Sequence, residues 1–258
     1  MLIKRYSRCW LPASLLLLGS CTVYAPTVPS TPLIEKGQVE VTAATREFIA
    51  LDLGAAWSPV PHLLLTGEVA WQSRGKGESN ANGTQNEYED YHRQVGAGIG
   101  YYRAAVGQKR RYLAAVGGVG FASVNLHDID VTTALFIIPL PYVSGFYEAR
   151  YRHYYGQLYA AQPLGEYLTS GLSVRGTWVD YTQLTIDGQS VAPANRFFIE
   201  PAFFLRAGSG PLQGQFTAGL SLPTARDGAN PTVSKTAPVS GLVSLGLVFR
   251  PDLLHHRK

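Results

Sequence analysis

The residues best suited to chemistry in this 258-residue chain stand together at His127-Asp128-Ile129-Asp130. A histidine beside carboxylates can take a proton from water, and Asp180 and Asp187 are the further acids such a centre could draw on. Nothing extends the pattern. There is no His-Glu-x-x-His, no Gly-x-Ser-x-Gly, no phosphate-binding Gly-Lys-Ser/Thr loop and no EF-hand spacing. Gly96-x-Gly98-x-Gly100 falls inside an alternating stretch, where glycine means space for neighbours or curvature, and a nucleotide loop is the poorer reading. A solvated loop is the plainer reading of His127 to Asp130, so no catalytic residue, cofactor or metal ligand is assigned and the chain is expected not to be an enzyme.

The other reactive group is a thiol. Cys9 and Cys21 are the two cysteines. Lys4, Arg5 and Arg8 precede a short apolar core from Trp10 to Leu18, the layout of an export signal and too short for a spanning helix. Leu18-Gly19-Ser20-Cys21 resembles a bacterial lipobox, which implies cleavage before Cys21 and a lipid on that residue. Cys9 would leave with the signal. No thiol would then remain for a disulfide, a zinc site or a nucleophile.

Removing residues 1–20 leaves 238, a comfortable size for one all-β domain. The formal charge of +4 shrinks to about +1, because three of the 22 basic residues lie in the signal while all 18 acidic residues stay. Nothing argues for a nucleic-acid partner. Charged residues are sparse at 16%, and 27 Gly, 15 Tyr, 10 Phe and 4 Trp point away from helices. No later run is long and apolar enough for a spanning helix, so any membrane role must be built from strands.

Elements that could carry such a role follow in order. Residues 21–36, with Pro26, Pro29 and Pro32, read as an extended, poorly packing tether of roughly 45 Å at about 3 Å per residue. From Gly37 to Arg250 the period becomes two, and ten strands can be counted, with eight to twelve as the bounds. The clearest sets Leu212, Phe216, Ala218, Leu220 and Leu222 against Gln213, Gln215, Thr217 and Ser221. In the sixth, Tyr147, Ala149, Tyr151 and Tyr155 are read as the lipid face and Glu148, Arg150 and Arg152 as the polar one. His153 fits that strand poorly: either it sits near the interface, a bulge shifts the register, or the sixth strand is misread.

Connections alternate in length, except for the first, around Thr45-Arg46-Glu47. Ser58–His62, Gly107–Arg110, Gln162–Glu166 and Gly208–Pro211 are short; Ser73–Glu87, Asn125–Gly145, Thr182–Asn195 and Pro223–Pro238 are long. That alternation is expected of an outer-membrane barrel, with short turns in the periplasm and long loops outside. The expected fold is therefore all-β, a single closed antiparallel up-and-down transmembrane β-barrel. Both termini would be periplasmic, including the tail 251–258. Trp57 and Phe249 would form the periplasmic aromatic girdle, and Trp71, Trp178 and Phe197 the outer one. A ten-strand bore is narrow, so its polar interior should hold a charge network of Asp52, Glu68, Arg93, Glu148, Arg150, Arg152, Arg175, Glu200 and Arg206. The apolar stretch within 131–143, Ala134 to Pro139, could fold into the mouth, touch lipid or bind a surface partner. Lys109-Arg110-Arg111 suits lipid headgroups.

The lipobox, the run Tyr24-Ala25-Pro26 to Pro32-Leu33-Ile34-Glu35-Lys36-Gly37 and the ten-strand pattern together resemble outer-membrane β-barrel lipoproteins of the Bacteroidetes type. The likeness covers essentially the whole chain after the signal. It implies an envelope location, outer-membrane lipid as surroundings, and handling by the barrel-insertion and lipoprotein-export machineries; it implies no particular reaction. The expected role is structural or surface-binding, with a porin-like channel for small solutes as the alternative and a hydrolase at the His127 rim as a distant third.

Overall fold

A computed structural model describes residues 23–46, 50–79, 85–104, 111–129, 144–192, 195–224 and 240–254. Strict alternation of side chains across each strand produces ten long strands: β1 (Val39–Arg46), β2 (Ala50–Trp57), β3 (Leu63–Ser79), β4 (Gln85–Ala104), β5 (Tyr112–Ile129), β6 (Ser144–Pro163), β7 (Leu168–Ile186), β8 (Arg196–Ala207), β9 (Leu212–Pro223) and β10 (Ser240–Phe249). Each pairs antiparallel with its sequence neighbours, and β1 pairs with β10 from Val41↔Phe249 to Arg46↔Ser244, closing the barrel. A two-residue strand, Gln189–Ser190, folds back on Thr185 and Ile186. Its turn uses Asp187 at φ 50° and Gly188 at φ 75°, the two left-handed residues that a tight hairpin of this twist demands.

The wall is uneven. β3 to β7 run for 17 to 20 residues, whereas β1, β2 and β8 to β10 run for 8 to 12. Two stretches expected as loops, Ser73–Glu87 and Asn125–Gly145, therefore begin and end as strand: β3 and β4 stay in register to Ser79↔Gln85, and β5 and β6 to Ile129↔Ser144. Their polar sequences hid them, because only the part of a strand that carries an apolar face shows a hydropathy period. Apart from the link between β1 and β2, the short connections share one end of the barrel and the long ones the other. At the short-connection end Arg250 N donates to Pro211 O at 2.7 Å and Gly208 N to Tyr167 O at 2.8 Å, and a 3-10 turn, Pro251–Leu254, ends the described chain.

One bulge matters for facing. Between β6 and β7, Arg150 faces Gln183 and Tyr151 faces Tyr181, leaving Thr182 as the extra residue, whose hydroxyl donates to Arg150 O at 3.0 Å. Odd residues of β7 point inward up to Tyr181; beyond the bulge Leu184 and Ile186 do.

The sides of the sheet are inverted relative to a water-soluble barrel. Large apolar side chains such as Ile99, Leu158, Leu172 and Leu212 lie on the outer surface, each about 60% exposed. Polar ones such as Arg175, Glu200, Thr177 and Gln157 are buried within.

Candidate functional site

The site is the bore. Ten strands spaced about 4.8 Å apart and tilted near 40° enclose a ring roughly 20 Å across between backbones. Side chains take about 5 Å from each wall, half the usual sheet-to-sheet spacing, which leaves about 10 Å. One extended chain fits that width, and one occupies it: residues 23–36, the stretch expected as a free tether.

This segment enters at the long-connection end and leaves at the short one. Val23 and Tyr24 pack with Tyr151, Tyr181, Leu184, Ile186 and Phe198 at the top. Ile34, fully buried, packs with Leu64, Tyr102, Tyr112, Tyr159 and Phe204 at the bottom. Gly37, at φ 80°, then turns the chain into β1, its N–H donating to Ser58 O at 2.6 Å. The expectation of a poorly packing linker is thus corrected. Proline spacing identified an extended conformation, but Tyr24 and Ile34 supply an apolar cork at each end, which a linker would not carry.

Between the corks the wall reads the segment's backbone. Carbonyls accept from wall donors: Pro26 O from Arg46, Ser30 O from Gln157 at 2.8 Å, Thr31 O from Arg206 at 3.2 Å, Pro32 O from Tyr159 at 2.7 Å and Ile34 O from Tyr112 at 3.1 Å. Two of its N–H groups meet carboxylates, Val28 with Asp52 at 3.3 Å and Leu33 with Glu40 at 3.2 Å. Tyr24 donates its hydroxyl to Glu200 at 3.0 Å, and Gln94 donates to the Thr27 hydroxyl at 3.4 Å. The donors come from strands all round the ring, so the barrel is closed about the segment.

The charged groups that do this are themselves paired. Arg206 grips both oxygens of Glu40 at 2.8 and 2.9 Å and donates to Gln215 at 2.9 Å. Arg175 donates to Glu68 at 2.6 Å from the opposite wall and lies 3.7 Å above the Tyr155 ring. Arg46 stands 3.5 Å from Asp52. Glu200 accepts from Thr177 at 2.8 Å and Ser221 at 3.1 Å as well as from Tyr24. Tyr155 and His153 reach inward over bare backbone: a Cβ at Gly98 would come within 2.7 Å of the Tyr155 hydroxyl, and at Gly118 or Gly120 it would strike the Tyr155 or His153 ring.

The structure brings five of the nine expected network residues into the bore: Asp52, Glu68, Arg175, Glu200 and Arg206. Four are corrected. Arg93, Arg150 and Arg152 face outward and are exposed, and Glu148 shares their side of β6, half-buried. Arg93 is 5.2 Å from the Tyr91 ring on the outside and stands opposite Trp71; Arg152 stands opposite Asp180. Strand six is faced the other way from the expectation, with Tyr151, His153, Tyr155, Gln157 and Tyr159 inward. His153, 1% exposed and 3.7 Å from Glu68, is the residue that had resisted the opposite facing. Gln157 inward against Leu158 outward was the readable signal. Tyrosine had been taken as a lipid-facing ring, but here its hydroxyls serve as lumen donors.

Glu40 and Arg46 are among the wall residues that sequence reasoning missed. Both share the inward parity of Thr42 on β1, which would have found them. Trp57, Trp71, Trp178, Phe197 and Phe249 all lie on the outer surface, between 36 and 51% exposed. Trp57 and Phe249 sit at the short-connection end, while Trp178 and Phe197 are direct cross-strand partners toward the long one.

The His127, Asp128 and Asp130 side chains, the Ala134–Pro139 stretch, Lys109 and Arg110, and residues 1–22 with Cys9 and Cys21 lie outside the described residues. Asp187 has a structural task, accepting from Phe146 N at 2.8 Å to fasten its hairpin. Asp180 lies seven residues earlier on the same strand run, further down the wall. Among the described residues no group of three or more His, Cys, Asp or Glu is placed to hold a metal ion. No protein-family model matches the chain, and no curated protein sequence matches it.

Proposed function

We propose that this chain is a lipid-anchored outer-membrane barrel with a structural or surface-binding role in the cell envelope, and that it does not conduct. The observation that carries the reading is a barrel apolar outside and polar inside, whose bore is filled along its length by residues 23–36. A belt of Ile99, Leu158, Leu172 and Leu212 suits hydrocarbon, a solvent that cannot satisfy an open backbone edge and so requires a closed sheet. Strands β3 to β7 exceed the 9–11 residues needed to cross a bilayer. Their upper parts form a tall rim on the long-connection side, a surface built for contact outside the lipid.

The test has two arms. Membrane fractions are extracted with detergent and run on gels with and without boiling. Purified protein is then placed in planar bilayers. Heat-modifiable migration with silent bilayers supports the proposal. A soluble product without detergent dependence overturns the membrane reading. Steady conductance by the intact chain replaces the structural role with a channel.

A further inference from the structure

We infer that the N-terminus of the mature chain, with the lipid on Cys21, leaves the barrel on the long-connection side, facing away from the C-terminus. Val23 and Leu254, the two ends of the described chain, lie at opposite ends of the bore, whereas both termini were expected on one side. Val23 packs among Tyr181, Leu184 and Ile186, beyond the last residues that β7 shares with β8. Leu254 ends at the short connections, where Arg250 donates to Gln38 at 2.8 Å.

The length of the buried stretch supports the same conclusion. Residues 23–36 are 14 in number, and an extended proline-containing chain rises about 3.1 Å per residue, so they span roughly 40 Å. A hydrocarbon core is about 30 Å thick. The segment therefore passes through the whole membrane layer instead of dipping into its mouth. Cys21 is two residues from Val23, a reach of about 7 Å at most. A group bonded to it stays at the end where Val23 sits.

The chemistry of the bore holds this direction. Glu40 with Arg206 fixes Thr31 and Leu33 at the bottom, and Glu200 fixes Tyr24 at the top, so the segment cannot slide without breaking both. If the short turns lie in the periplasm, the acyl group belongs to the outer leaflet or the cell surface. The lipid and the barrel then have separate tasks: the barrel spans, and its own N-terminal segment carries the lipid across. The inference rests on the outer-membrane reading and on Cys21 as the lipidated residue.

The experiment uses the full chain in cells. One version carries an epitope between Thr22 and Val23, another carries it after Leu254, and antibody binding is compared before and after permeabilisation. Labelling of the first on intact cells at the permeabilised level, with the second labelled only after permeabilisation, is expected. The first tag appearing only after permeabilisation overturns the inference. A second measurement, Thr27→Cys with Gln94→Cys treated with a short bis-thiol cross-linker, is expected to tie the segment to the wall. Its failure in a heat-modifiable barrel overturns threading itself. Labelled palmitate should enter the parent chain and not Cys21→Ser; no incorporation into the parent removes the lipid from the inference. Planar-bilayer silence is read separately, so loss of the non-conducting reading is distinguishable from loss of this one.

Discussion

Replacing Arg206 by methionine should release the lower half of the lumen segment and destabilise the barrel by about 4 kcal/mol. The guanidinium is almost fully buried, as is the Glu40 carboxylate it grips at 2.8 and 2.9 Å, and it also donates to Thr31 O and Gln215. Methionine keeps much of the volume and none of the donors. Glu40 would be left buried with the Leu33 N–H, at 3.2 Å, as its donor from the segment. Breaking a buried pair from one side costs about 3–5 kcal/mol, mostly for the stranded charge, and the loss of one neutral hydrogen bond about 1. At about 1.4 kcal/mol per tenfold, the folded-to-unfolded ratio falls by roughly three orders of magnitude. Reversible urea unfolding in lipid vesicles, followed by tryptophan fluorescence, reads the change. The double variant Arg206→Met, Glu40→Leu removes the stranded charge and should recover most of the loss, because an apolar pair in place of a buried ion pair is often neutral. A single variant within about 0.5 kcal/mol of the parent, or a double variant no better than the single, would refute the clasp.

Three further outcomes follow from the same geometry. Deleting residues 23–34 should turn a silent barrel into one with steady conductance through a bore of about 10 Å, provided the gel still shows heat-modifiable migration. Arg175→Leu should cost about 3–5 kcal/mol in the urea assay, since it strands Glu68 beneath Tyr155, whereas Arg152→Leu on the outer wall should stay within about 0.5 kcal/mol. Gly120→Val should destabilise by about 1–3 kcal/mol by driving a side chain into the His153 ring, while Gly156→Ala, which points outward with nothing within 4 Å, should be nearly neutral in the same measurement.

The strand count and the alternation of short and long connections were legible because each strand carries an apolar stripe where it meets the outside. Facing was legible on the same grounds for β9 and β10. It failed on β6, where tyrosine, arginine and glutamate alternate and no aliphatic stripe breaks the symmetry until Leu158. Arg93, Arg150 and Arg152 were drawn inward by charge alone, although Arg93 shares the parity of Val95 and Ile99. An arginine at the level of Trp71 can face outward, because there the wall is leaving its apolar belt. The bulge at Thr182 was invisible, since a single extra residue shifts parity without changing composition.

The proline-rich segment shows why pattern and partner must be read together. As a free linker, prolines at 26, 29 and 32 would stiffen the chain and nothing more. Inside a barrel the same prolines solve a hydrogen-bonding problem. Each removes an N–H that the bore would otherwise have to satisfy, so the segment presents mainly carbonyls. The wall answers with donors: Arg46, Gln157, Arg206, Tyr159 and Tyr112, on four different strands. The N–H groups of Val28 and Leu33 find the carboxylates Asp52 and Glu40. Without the segment, those arginines and tyrosines would face one another across about 10 Å of bore. The polar interior is thus matched to a chain, and the inward glycines that seat Tyr155 and His153 keep that chain's width clear. A barrel evolved only to fill itself would spend larger side chains on the same space.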